Sequence, residues 1–231
     1  MRKLIGARYL MADPTMKRCR AAVGLAILAP LGACRSPQLE LPNRANFTAA
    51  VNDYLAQRGH LCLAKYEWPI IVTAADQQTR SLNAQQMPVL EALALVAGRD
   101  VSATRKGADG TAVGQPAHEY ALTAEGQKYY LHVPVVIATA TQHVIHPADF
   151  CVATLSLDRV VGWEKPQALD GRTVTSVLFT YKIAPAQWTQ TPDARRVFPV
   201  VTHAVENAGV LQLRLGVHLT QRGWIADELS D

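Results

Sequence analysis

The sequence contains no Gly-x-Ser-x-Gly elbow, no His-Glu-x-x-His pair and no phosphate-binding Gly-Lys-Ser. None of the short signatures that place a nucleophile, a zinc ion or a nucleotide by themselves is therefore present. Its main apolar run, residues 21–33, is thirteen residues long and holds Pro30. As a helix it would cover roughly 20 Å of a ~30 Å hydrocarbon core, too little to cross a bilayer. Cysteine is scarce, four in 231 residues, and two of the four lie at positions 19 and 34. Basic charge is scarce as well once the first segment is set aside. Without residues 1–33 the 23 Lys and Arg become 17 and the 19 Asp and Glu become 18, a net charge of −1. That balance gives no electrostatic footprint for a nucleic-acid partner.

What is present begins with the leader. Residues 17–33, "KRCRAAVGLAILAPLGA", run from a basic cluster through an apolar core to small side chains, which reads as a signal peptide over residues 1–33. Met1 gives a long basic region and Met16 a more compact one, so either can be the start. "LGAC" at Leu31–Cys34 resembles the lipobox of bacterial lipoproteins. The resemblance covers the leader alone, and it implies cleavage before Cys34 with acyl chains (palmitate among them) on that residue. Several chains make a stable anchor where one is marginal. Arg35 in place of an acid after the cysteine implies, within that family, release to the outer membrane, with the chain on its periplasmic face. An ordinary signal peptide with Cys34 incidental is the plainer reading of the same residues.

With Cys19 removed and Cys34 lipidated, Cys62 and Cys151 remain, and an oxidising compartment invites a disulfide between them. Two buried free thiols are the other reading. Residues 35–45, "RSPQLELPNRA", hold two prolines without periodicity and read as a tether, so that residues 34–45 form lipidated cysteine and linker. Phe47, Val51, Tyr54 and Leu55 are at helical spacing, with Asn46 as N-cap and Gly59 as C-cap. "CLAKYEWPIIVT" reads as a strand bent at Pro69, residues 87–98 as a helix beginning near Met87 and closed by Gly98, and residues 99–118 as a polar, mobile loop. Two strands should flank a turn at residues 124–126. "FCVATLSLDRVVGW" and "VTSVLFTYKI" alternate as strands across Asp170–Gly171, and "LQLRLGVHL" places leucines inward with Gln212, Arg214 and His218 outward. The fold class is α+β, short helices packed on antiparallel strands. A subdomain at 46–140 would precede a β-rich one at 141–231.

"MPVLEALALVAG" (87–98) and "FPVVTHAVENAG" (198–209) share their ends, and each is followed by Leu-Thr-x-x-Gly. A duplication would make the two subdomains related; coincidence of helix-end and turn signals is the alternative. "LVAG" followed by "YALTAEGQKYY" resembles the helix-plus-wing portion of winged-helix proteins over about 45 residues. Without a basic face, the use that resemblance implies is protein contact.

One segment concentrates chemistry: "HVIHPADFC", with His143, His146, Asp149 and Cys151. A His-x-x-His on a helix can place two imidazoles on one metal, but Pro147 follows at once and a third ligand is not positioned. Exposed loop histidines are the plain reading; His203 and His218 read as solvated or hydrogen-bonded. Trp68, Trp163, Trp188 and Trp224, with Tyr66, Tyr129, Tyr130 and Tyr181, read mostly as core. The expectation is a non-enzymatic, lipid-anchored envelope protein that binds another envelope protein, with no cofactor and no metal. The alternatives are a periplasmic hydrolase or metal-dependent enzyme at His143, His146, Asp149 and Cys151, and a carrier with an apolar cleft between the halves.

Overall fold

The computed structural model describes residues 37–106, 112–138 and 143–229; the leader and Cys34 lie outside them. The chain runs α1 (Pro37–Glu40), α2 (Arg44–Arg58), β1 (His60–Cys62), β2 (Ile70–Thr73), α3 (Ala74–Gln78), α4 (Leu82–Ala92), β3 (Val96–Lys106), β4 (Ala112–Leu122), α5 (Ala124–Gln127), β5 (Tyr130–Leu131), β6 (Val135–Ala138) and β7 (His143–His146). It continues through β8 (Asp149–Trp163), β9 (Gln167–Leu169), β10 (Arg172–Pro185), α6 (Pro192–Val197), α7 (Pro199–Glu206), β11 (Leu213–Thr220) and β12 (Gly223–Ala226). The class is α+β with antiparallel sheets.

The main sheet is ordered β1-β8-β10-β11-β12, with β5 added to β8 and β9 to β10. Helix α2 lies across it. Phe47, Ala50, Val51 and Leu55 meet Val160, Val177, Phe179, Leu215, Val217, Trp224 and Ala226, and the Phe47 ring sits 5.1 Å from both Trp163 and Trp224. The second core lies under the small sheet β2-β4-β3. It joins Ile70, Val72, Met87, Leu90, Leu95, Val96 and Tyr120 to Phe150 and Val152 of β8 and to Ala194, Phe198 and Val201 of α6 and α7. Each core thus draws on residues from both sides of position 140. The small module runs β2-α3-α4-β3-β4 with spatial order β2-β4-β3.

Several local expectations change. The presumed tether is folded from α1 onward: Asn43, not Asn46, caps α2, its side chain accepting from Asn46 N at 2.9 Å. The strand expected over residues 62–73 is two short strands separated by an excursion at 63–69. Helix α4 starts at Leu82, because Ser81 accepts from Ala84 N. Pro88 therefore stands inside the helix, on its exposed side. Ala94, with φ 56°, and not Gly98, makes the exit. Residues 99–118 belong largely to the β3–β4 hairpin; Pro116 fits there because β2 stops pairing at Ala117, leaving β4 an edge beyond it. Residues 124–127 are a helical turn capped by Thr123. Asp170 and Gly171, both with positive φ, turn β9 into β10. His218 is buried and bonds to Asp227 at 2.8 Å instead of facing outward. The two Leu-Thr-x-x-Gly segments diverge: Thr123–Gly126 is a helix cap, Thr220–Gly223 a hairpin turn. The likeness between them is one of sequence.

Gly126 is required by a close approach: a Cβ there would lie 1.9 Å from the Leu95 carbonyl oxygen. Gly126→Ala is expected to lower stability by about 2 kcal/mol or more, because backbone must move. Gly162, with no atom within 4 Å of its would-be Cβ, is the control. In urea denaturation Gly162→Ala should change stability by no more than about 0.5 kcal/mol.

Candidate functional site

The segment that carried the chemistry-bearing residues enters β8 at its most buried end. Asp149 is 3% exposed. Its Oδ1 accepts from Lys65 N and Phe150 N, each at 2.7 Å, and its Oδ2 from Ala64 N at 3.2 Å. A buried carboxylate must be compensated, and here backbone N–H groups do it. In exchange the carboxylate holds the turn at Ala64, a non-glycine residue with φ 55°. Cys151 is bonded to Cys62, its cross-strand partner in the β1–β8 ladder. Leu63 N donates to Phe150 O at 2.9 Å between these two links. His146 stacks on Tyr66, ring centroids 3.9 Å apart and planes 11° from parallel. His143 pairs with Ala138 in the β6–β7 ribbon. Among the described residues no group of three or more His, Cys, Asp or Glu is placed to hold a metal. Asp149, Cys151 and His146 are each engaged with the 62–66 segment.

The turn they hold encloses a pocket of about 300 Å³ lined by Lys65, Tyr66, Glu67, Asn83 and His146, among others. Lys65 is the unusual member. It is 7% exposed, and no carboxylate among the described residues is within ion-pair distance of it. Burial lowers its pKa from the usual lysine range, and the Asp149 charge offsets only part of that. Tyr66 and Tyr130 are shifted upward, by burial first and by Asp149 second. The Tyr130 hydroxyl donates to the Tyr66 carbonyl, fixing the stacked ring from behind. The pocket therefore offers a hydrogen-bond donor at Lys65, an amide at Asn83 and a flat surface at Tyr66–His146. These groups can hold a small ligand. They do not form a hydrogen-bonded nucleophile–base pair.

A second cleft, about 270 Å³, is lined by His60, Tyr129, Val152 and Ala184 among others. The exposed face of α4, with Leu82, Gln85, Pro88 and Glu91, carries no basic residue. That face gives no electrostatic attraction for a nucleic acid. His203 is exposed and contacts Asn207. The aromatics are mainly core, with Trp224 and Tyr181 buried and Trp68, Trp188 and Tyr129 packed on the core under β2-β4-β3. Sequence reasoning missed Lys65, which sits 84 positions from the carboxylate that shapes its turn, and placed Tyr66 among the core aromatics. No protein-family model, curated protein or solved structure matches the chain.

Asp149→Ala would leave three N–H groups unpaired, at about 1–3 kcal/mol for each buried one. Expected are a loss of roughly 3 kcal/mol or more in urea denaturation and rapid tryptic cleavage after Lys65, which in the native protein is protected by burial. Lys65 gives a pH signature. Its folded pKa is depressed, so between that value and the ordinary ~10.4 the unfolded chain binds more protons than the folded one. Stability should rise with pH through that alkaline window as the buried ammonium loses its proton. Denaturation of Lys65→Met across pH 8–11 should show this rise removed, with higher stability than the native chain at neutral pH.

Proposed function

We propose that this chain is a bacterial envelope lipoprotein, anchored to the outer membrane on its periplasmic face through acylated Cys34, and that it acts by binding another envelope protein rather than by catalysis. The observation that carries the non-catalytic part is the use made of Asp149, Cys151 and His146. One caps a turn, one is disulfide-bonded and one is stacked on Tyr66. The Cys62–Cys151 link supports an oxidising compartment, in keeping with the leader. The partly apolar face of α4, which carries no basic residue and where Leu82 is 68% exposed, supports contact with protein. A second reading, a small-ligand carrier, is favoured by one observation, Lys65, which is buried beside its pocket with no ion-pair partner among the described residues.

Mass spectrometry of protein extracted from the membrane fraction tests the anchor. The expected species begins at an acylated Cys34 and yields a linked Cys62–Cys151 peptide on non-reducing digestion. A chain continuous through an unmodified Cys34 would overturn the reading. For the binding part, a photo-crosslinking residue at Gln85 should give one discrete adduct in intact cells, and its absence would count against α4 as the contact. If Lys65→Met abolishes the protein's phenotype while the Gln85 adduct persists, the carrier reading takes over.

A further inference from the structure

The fold begins very close to Cys34. Trp224 Nε1 donates to Glu40 O at 3.2 Å, and Asn46 Nδ2 donates to Gln38 O at 2.7 Å and Leu41 O at 2.9 Å. At Gly223, φ +104°, a Cβ would come within 3.3 Å of Leu39 O, so α1 is seated against the β11–β12 turn. From Gln38 onward the chain is part of the domain. Four residue steps separate Cys34 from Gln38, at most about 14 Å of fully extended chain. Acyl chains on Cys34 put that residue at the headgroups, so whatever surrounds α1 cannot be far from them.

What surrounds α1 has the chemistry of a phospholipid surface. Leu39, Leu41 and Leu169 are 45%, 53% and 60% exposed. Arg172 pairs with Leu169 across β9–β10. It lines a single pocket with Glu40 and with Gln221 of the β11–β12 turn. Arg222 is exposed on the same turn. Leucines at this spacing can enter the headgroup–acyl boundary, and a guanidinium fork matches a phosphate diester. Glu40 and Asp170 stand nearby, so the patch is not strongly cationic. The anchor supplies the affinity and the patch sets the orientation.

We propose that the face formed by α1, the β9–β10 turn and the β11–β12 turn rests on the phospholipid leaflet that holds the acylated cysteine, through Leu39, Leu41, Leu169, Arg172 and Arg222. The inference rests on the lipid-anchor reading of Cys34. It also fixes what points away. Helix α2, 15 residues or about 22 Å long, starts beside α1, and at its far end Arg58 donates to Pro134 O at 3.2 Å. The β6–β7 ribbon is therefore held away from the bilayer.

The test uses full-length acylated protein in vesicles of phosphatidylethanolamine and phosphatidylglycerol doped with a phospholipid carrying a diazirine near its headgroup. After irradiation, lipid adducts are expected on peptides containing Leu39–Leu41, Leu169–Arg172 and Arg222, at least tenfold above those on residues 143–146. Adducts confined to residues before Pro37, or concentrated on the ribbon, would overturn the inference. The intact mass of the same sample reads Cys34 acylation separately. An acylated chain without adducts on the patch defeats this inference alone, and an unacylated chain defeats the anchor.

Discussion

Residues 63–148 form an excursion from the main sheet, which only the short β5 rejoins on the way, and the rest of the structure depends on how the base of that excursion is closed. Cys62 ends β1 and Cys151 lies in β8, and the disulfide joins them across a sequence separation of 89. One step further in, Leu63 N bonds to Phe150 O; one step beyond that, Asp149 gathers the N–H groups of Ala64 and Lys65. A covalent link, a ladder bond and a carboxylate cap thus follow each other within three residues. In the chain-entropy model a link closing a loop of ~90 residues removes about 4–5 kcal/mol of unfolded-state freedom. The small sheet, its helices and the β6–β7 ribbon all lie within this closed loop.

Closure alone would leave that excursion a loosely hung module. It is made part of the whole by two sequence-distant contributions. Phe150 and Val152, at the head of β8, reach into the same core as Met87 and Leu90 of α4, while Ala194, Phe198 and Val201 close it from the other side. Strand β8 then continues to Val160, which lies in the core under α2. One strand therefore passes through both cores, and the bulges between Leu178 and Phe179 and between Thr180 and Tyr181 of β10 let the long ladder bend as it does so.

The parts legible in the sequence are those whose signal is local. β8 and β10 show alternation over long stretches, and Asp170–Gly171 is a two-residue turn that tolerates positive φ at both positions. The Cys62–Cys151 pairing could be reached because reading residues 1–34 as leader and lipobox sets the other two cysteines aside. The β3–β4 hairpin is hidden because its outer portion mixes Ser, Ala, Thr and Gly with Arg105, Lys106 and Gln115, a polar, small-residue pattern that reads as loop. Helix α4 was misplaced by Pro88, which is a helix-start signal when the Ser81 cap seven residues earlier goes unweighed. Tertiary context decides Lys65: nothing in "CLAKYEWP" says that the lysine is enclosed, because the groups enclosing it come from Asn83 and His146.

The same geometry separates two jobs along the length of α2. At its start lies α1, seated against the β11–β12 turn. At its far end Arg58 holds Pro134, at the root of the β6–β7 ribbon; β7 runs directly into the Asp149 cap, and the strands of the β2-β4-β3 sheet are tied to the same base by Cys62–Cys151. Reducing that bond would leave the α2 core intact, since none of its members lies between residues 63 and 150. It would loosen the excursion that carries Lys65 and α4. The small sheet and the Lys65 pocket therefore depend on the oxidised state of one pair of sulfurs, and the α2 core does not.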